Sequence, residues 1–189
     1  MGKVLNISEE SLARRMQEHD SNAMRQFYGL TVGYLTAICS RYVLQEDDVK
    51  DVLQESYLKI FASIDHFAYR GEGSLKAWAA RITVNEALMS LRHTAHLADI
   101  TYMENLPEVA EEDPNVDDVP PEVIQQFIRE LPVGYRTVFN LFVFEDHTHQ
   151  EIAEMLHIKE TSSASQLSRA KSILAKKINE YKATNNKEQ

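Results

Sequence analysis

Ser162, Ser165, Gln166 and Arg169 fall on one side of a helix that the spacing predicts over 161–181. Short hydroxyls, an amide and a guanidinium are the groups that base edges and phosphates accept. Lys171, Lys176, Lys177 and Lys182 carry positive charge further down the same helix, and Leu167, Ala170, Ile173 and Leu174 form its inward stripe. A shorter helix is expected just before it, over 149–156, with Ile152, Ala153 and Leu156 inward; the small Ala153 lets the next helix cross closely. The pair reads as a helix-turn-helix. A solvated face of a helical hairpin explains the same spacing equally well, so this pattern alone leaves both readings open.

A second cluster lies in "HFAYRGEGSLKAW", where two glycines, two basic residues and three aromatics share one loop. Aromatics interleaved with Arg and Lys are what unpaired bases stack on. Phe67, Tyr69 and Trp78 could equally close a core, and Trp78, beside an apolar stripe of Leu75, Ile82 and Met89, competes most strongly for that role. The helix that follows places Arg81, Asn85 and Arg92 on one side, with Leu88 between them. Upstream, "DDVKDVLQESYLKIFASI" buries Val49, Val52, Leu53, Tyr57, Ile60, Phe61 and Ile64 on one stripe and shows Asp51, Gln54, Glu55 and Leu58 on the other side. One Leu amid polar and acidic groups means little singly, but it suits a protein-binding face with an apolar anchor.

Helices must position all three clusters. The chain has 189 residues, 43% of them hydrophobic, with six Gly, five Pro and no strand-like alternation, so an all-α fold is expected. Helices are expected near 8–19, 21–44, 47–64 and 74–93, then near 121–130, 134–145, 149–156 and 161–181, with Ser8 and Ser74 as N-caps. Thr148 followed by Glu151 is a capping box, the strongest boundary signal in the chain. Between the two groups, "ADITYMENLPEVAEEDPNVDDVPPE" holds four of the five prolines and nine acids from Asp99 to Glu122, with no Lys or Arg. Without those nine, the 29 acids fall to 20, equal to the 20 bases, so the net charge of −9 resides in this segment. It reads as an extended, self-repelling linker over 96–120 between a domain at 1–95 and one at 121–182.

Some functions are disfavoured. No run approaches the roughly 18 apolar residues of a membrane span, and "MGKVLNISEESLARR" has no apolar core of a secretory signal. A single cysteine, Cys39, allows no internal disulfide and fits a reducing, cytoplasmic setting. There is no phosphate-binding Gly loop and no nucleophile motif. "HTAH" at 93–96 and "HTH" at 147–149 offer too few ligands for a metal site. The expectation is a protein that is not an enzyme, with no cofactor and no metal. A stand-alone helix-turn-helix repressor would leave the N-terminal domain idle, while an adaptor would use the Leu58 face alone.

"DDVKDVLQESYLKIF", "YRGEGSLKAWAARITVNEALMSLR" and "LPVGYRTVFNLFVFEDHTHQEIAEMLHI…SQLSRAK" together resemble the extracytoplasmic-function (ECF) sigma factors, small bacterial RNA polymerase sigma subunits. The resemblance covers both domains in order. It implies an N-terminal domain that binds core RNA polymerase and opens the −10 promoter element, a C-terminal domain that reads the −35 element, and a linker running through a positively charged channel of the polymerase. By position it puts Asp51, Gln54, Glu55 and Leu58 in the core-binding helix. Tyr69, Arg70 and Lys76 fall in the loop that holds unpaired bases, and Arg81, Asn85 and Arg92 in the basic helix beside the −10 element. Ser162, Ser163, Ser165, Gln166 and Arg169 fall in the −35 recognition helix. It also implies core polymerase and promoter DNA as partners and a monomer when free. An anti-sigma factor commonly holds such proteins inactive, though no residue here marks that control. The sequence departs from the family pattern at Val84, where Arg is frequent, and at Met89, where an acid is frequent. His157 replaces the turn Gly, and Ala164 and Gln166 stand at usually basic positions, which bears on the DNA sequence read.

Overall fold

Polar helix starts and apolar stripes at helical spacing set the architecture. In the computed structural model, which describes residues 8–93, 116 and 119–185, every regular element is helical. The chain divides into two units, Met1–Leu91 and Arg92–Gln189. Most of the acidic linker lies outside the described residues. Among the described residues, no helix is long and apolar enough to cross a membrane.

The first unit opens with α1 (Glu9–Gln17), capped by Ser8, whose hydroxyl accepts from Ser11 N–H at 3.3 Å. Asp20 then starts α2 (Ser21–Tyr42), accepting from Asn22 N–H at 2.8 Å. The same carboxylate takes two hydrogen bonds from Arg15, at 2.6 and 2.9 Å. Arg15 first, and the Asn22 amide second, hold the Asp20 carboxyl below its ordinary value. Helix α2 buries Ala23, Phe27, Thr31, Leu35, Ile38, Cys39 and Tyr42 against α3 (Glu46–Ser63). Tyr57 of α3 meets Phe27 edge-on at 6.4 Å and shares a buried 2.9 Å hydrogen bond with Thr31, so its phenol finds a partner inside the core. Cys39 is fully buried, and desolvation pushes its thiol up to about 12, which makes it an inert packing group. A 3-10 turn (Ile64–His66) and a loop lead into α4 (Ser74–His93).

Ser74 does not cap α4 as the sequence suggests. It is already the first helical residue, and its hydroxyl donates to Gly71 O at 2.7 Å and accepts from Arg70 N–H at 3.2 Å, closing the loop instead. The first amides of α4 find their acceptor on a different helix. Glu9 of α1 takes Gly73 N–H at 3.1 Å and Leu75 N–H at 2.9 Å.

The second unit contains α5 (Pro121–Arg129), α6 (Val133–Val143), α7 (His149–Leu156) and α8 (Glu160–Asn185). Pro121 sits in the first helical turn, where its missing N–H costs nothing. Ile128, Leu131, Tyr135, Ala170 and Leu174 form the core, with Ile124, Phe127, Phe139 and Ile173 packed around it. Buried Arg136 donates to the carbonyls of Arg129 and Leu131 at 3.0 and 3.1 Å, satisfying the end of α5.

Helix α7 begins in the capping box read from sequence. Thr148 Oγ1 accepts from Glu151 N–H at 3.2 Å, and Glu151 accepts from Thr148 N–H at 2.8 Å. It ends at His157, whose φ of 56° and ψ of 42° are left-handed, while Ile158 N–H closes on Ala153 O at 3.0 Å. A side chain there costs strain that Gly would not. His157→Gly is expected to stabilise the second unit by about 1 kcal/mol. A higher urea midpoint at unchanged slope checks this; an unchanged or lower midpoint contradicts it.

Candidate nucleic-acid and protein interfaces

Asp51, Gln54, Glu55 and Leu58 are all exposed on one side of α3, Leu58 at 56%. The structure adds what the sequence did not resolve. Leu53 and Phe61, expected in the sealed stripe, are only half-buried, while Ser56 is fully buried and donates back to Val52 O at 2.7 Å. Leu53 and Phe61 border a groove of about 630 Å³ between α2 and α3, closed on its other sides by Tyr28, Val32, Tyr57 and Leu58. Leu58 is therefore the rim of an apolar depression rather than an isolated exposed leucine, the arrangement of an anchor patch with a polar border.

The three aromatics expected in one loop separate, because Trp78, like Lys76, already lies on α4. Phe67 is buried, Trp78 is half-buried against it at 5.2 Å between ring centroids, and Tyr69 is 36% exposed. Arg70, Trp78 and Arg81 line one groove of about 340 Å³ together with His66 and Phe67. Tyr69 instead borders a second depression, of about 400 Å³, with Ser11, Arg14 and Gln17 of α1. Both volumes lie within the roughly 300–1,000 Å³ of ligand pockets. Burial first, then the carboxylates of Glu72, Glu10 and Glu9, raise the Tyr69 phenol above its ordinary value, so it stays neutral. Lys76 lies over the ring of Tyr34 on α2, its Nζ 3.9 Å from the centroid, rather than beside the loop aromatics.

Arg81, Asn85 and Arg92 are exposed along α4 as expected. Leu88 is not between them: it is 4% exposed and belongs to the core, whereas Met89, assigned to the apolar stripe, is 41% exposed and takes that place. Adjacent helical residues point about 100° apart, so the two exchange roles once α4 docks. Val84 is also core, at 2% exposure, where the family pattern often has Arg. Glu86 accepts from Lys59 Nζ at 2.7 Å through each of its carboxylate oxygens and ties α3 to α4.

Helix α8 is rotated from the sequence expectation. Ser163 and Gln166 are buried, at 0 and 4% exposure, in line with Leu167, Ala170 and Leu174. Ser163 Oγ lies 3.0 Å from Nδ1 of His149, whose ring stacks on Phe142 at 4.7 Å. Ser163 and Gln166 thus serve the inner face and are withdrawn as base-reading residues. The outer side carries Ala164 and Ser165, both exposed, with Ser162 and Arg169 half-exposed. Lys177, counted as a cation for DNA, donates to Glu130 at 2.6 Å, and Lys176 lies 3.9 Å from Glu180. Sequence reasoning also passed over Val143 and Phe144, exposed at 47 and 45% at the end of α6; the one polar residue of the run "VFNLFVF", Asn140, is itself buried and so misdirects the search.

Residues 27–96 match the family model for sigma-70 region 2, and residues 122–174 that for sigma-70 region 4. Over 192 residues the chain is 26% identical to the ECF RNA polymerase sigma-E factor of Haemophilus influenzae, covering 91% of this chain and 96% of that one. It is 27% identical over 187 residues to the protein of that name from Salmonella typhimurium, covering 91% and 95%. Among solved structures it is similar to the sigma factor RpoE of Bartonella quintana, solved in complex with the anti-sigma factor NepR. That likeness has a TM-score of 0.50 and 19% identity, covering 82% of this chain and 96% of that one.

Proposed function

The chain belongs to the ECF sigma factors, and we propose from that premise that residues 1–95 act as region 2, 96–120 as the linker and 121–182 as region 4. As a sigma factor it directs core RNA polymerase to specific promoters and helps open the −10 region. It is an initiation factor, and the polymerase supplies the catalysis. The observation that carries the reading is the match to regions 2 and 4 in chain order, at 27–96 and 122–174. In this reading the α3 face of Asp51, Gln54, Glu55 and Leu58 meets core polymerase. Tyr69, Arg70, Arg81, Asn85 and Arg92 contact the −10 element, and Lys76 does so if it leaves Tyr34. Ser162, Ser165 and Arg169 contact the −35 element. An anti-sigma factor is a further partner, the class of protein bound in the Bartonella quintana structure.

The direct test is run-off transcription from promoter DNA by purified core polymerase with and without the chain. Promoter-directed transcripts only in its presence support the reading; specific DNA binding without any transcript favours a repressor. A sharper prediction concerns Tyr69. Stacking on an aromatic is worth about 1–3 kcal/mol per base, so Tyr69→Ala slows promoter opening by a corresponding factor. Core binding stays unchanged, and pre-melted promoter DNA partly restores the rate. Its 36% exposure makes unfolding of the variant unexpected. If Tyr69→Ala nonetheless unfolds the domain, the residue is core and its DNA role is lost.

A further inference from the structure

Helix α1 reaches both ends of the loop that separates α3 from α4. At one end Gln17 Nε2 donates to the carbonyls of Ile64 and Phe67, at 3.3 and 2.8 Å. At the other, the two carboxylate oxygens of Glu9 accept from Gly73 and Leu75 N–H, at 3.1 and 2.9 Å. Glu9 and Gln17 are the first and last residues of α1, so the two attachments lie about 12 Å apart along a rigid rod. Each end of the loop meets the polarity it lacks: its carbonyls find an amide donor, and the unsatisfied amides at the start of α4 find an anion.

The loop between these attachments leaves the first amides of α4 to an acceptor outside it. Gly71 and Gly73 adopt φ of 117° and 87°, the left-handed region in which glycine is least restrained. Beyond the adjacent residues, no atom lies within 4 Å of where a Cβ would sit on either, so backbone conformation rather than crowding selects glycine there. Ser74, the residue best placed to cap α4 locally, is committed to Arg70 and Gly71. The cap is left to a residue more than sixty positions away in the chain, and that fixes where the loop stands relative to α1.

We propose that α1 is a splint for the DNA-contacting loop, with Glu9 and Gln17 as positioning residues that set the geometry of Tyr69 and Arg70 and so the rate of promoter opening. The proposal rests on the reading of this loop as the base-contacting segment. Its test uses the full chain with core polymerase. Promoter opening is followed by permanganate reactivity of unpaired thymines in Glu9→Ala, Glu9→Gln, Gln17→Ala, Tyr69→Ala and Arg70→Ala. Glu9→Ala is expected to slow opening about tenfold, the factor that corresponds to about one charge-assisted hydrogen bond. Glu9→Gln keeps one acceptor oxygen and should fall between wild type and Ala. Core affinity should not change, because the Leu58 face lies on α3. Normal opening in Glu9→Ala and Gln17→Ala, with slow opening in Tyr69→Ala and Arg70→Ala, would overturn the splint and keep the loop. Normal opening in all five would overturn both. A parallel loss of core binding in Glu9→Ala and Glu9→Gln would show general collapse of the unit and overturn the positioning role.

Discussion

Leu58→Asp is expected to weaken binding to core RNA polymerase by about 2 kcal/mol, close to 30-fold in affinity, with the fold intact. Three observations converge on that residue. Leu58 is 56% exposed, so the substitution opens no cavity. It stands among Asp51, Gln54 and Glu55, all exposed, which form the polar border around an apolar anchor. It also rims the groove of Tyr28, Val32, Leu53, Tyr57 and Phe61, which adds apolar area to a single side chain. A carboxylate placed there has to be desolvated without a partner when the surface is covered, which is the larger part of the penalty. Titration of labelled chain with core polymerase measures the loss, and an unchanged urea midpoint confirms the fold. Equal affinity of wild type and variant would remove this face from the interface.

The parts of the fold carried by local rules were legible in the sequence. Thr148 and Glu151 are three residues apart, and the capping box forms between them. His157 stands where a helix ends, and its backbone is left-handed. What depends on docking was not legible. Leu88 and Met89 are adjacent and both apolar, so no periodicity rule decides which turns inward; the packing of α4 does. Ser163 and Gln166 are polar enough to be placed outside, yet they share the face of Leu167, Ala170 and Leu174 once α8 settles on α7. Tyr69 and Arg70 read as one cluster because they are neighbours in the chain, but in the fold they border different grooves. The Glu9 cap of α4 spans more than sixty residues, and no spacing rule reaches that far.

The free chain is expected to bind promoter DNA weakly, and core polymerase to raise that affinity by about 10²–10⁴. Non-specific affinity comes mainly from phosphate neutralisation and scales with the number of cationic contacts. The structure lowers that number below what the sequence suggests. Lys177 is engaged by Glu130, which its ammonium holds below the ordinary carboxylate value, and Lys176 lies near Glu180. With Gln166 turned inward and Ala164 neutral, the outer side of α8 carries Arg169 and the hydroxyls of Ser162 and Ser165, with Lys171 and Lys182 further along the helix. Nine uncompensated acids between Asp99 and Glu122 add repulsion, although salt screens it beyond roughly 8 Å. Core polymerase changes the balance by holding both DNA-reading domains at once, which makes the second contact intramolecular. Promoter binding with and without core, at matched salt, measures the gain. On a promoter that depends on its −35 element, Arg169→Ala with Ser165→Ala should abolish most of that gain while leaving core affinity unchanged. Gln166→Ala should act differently, by lowering the stability of the second unit, because its side chain is buried. Tight, sequence-specific binding by the free chain would defeat delivery by polymerase and point to a self-sufficient DNA-binding protein.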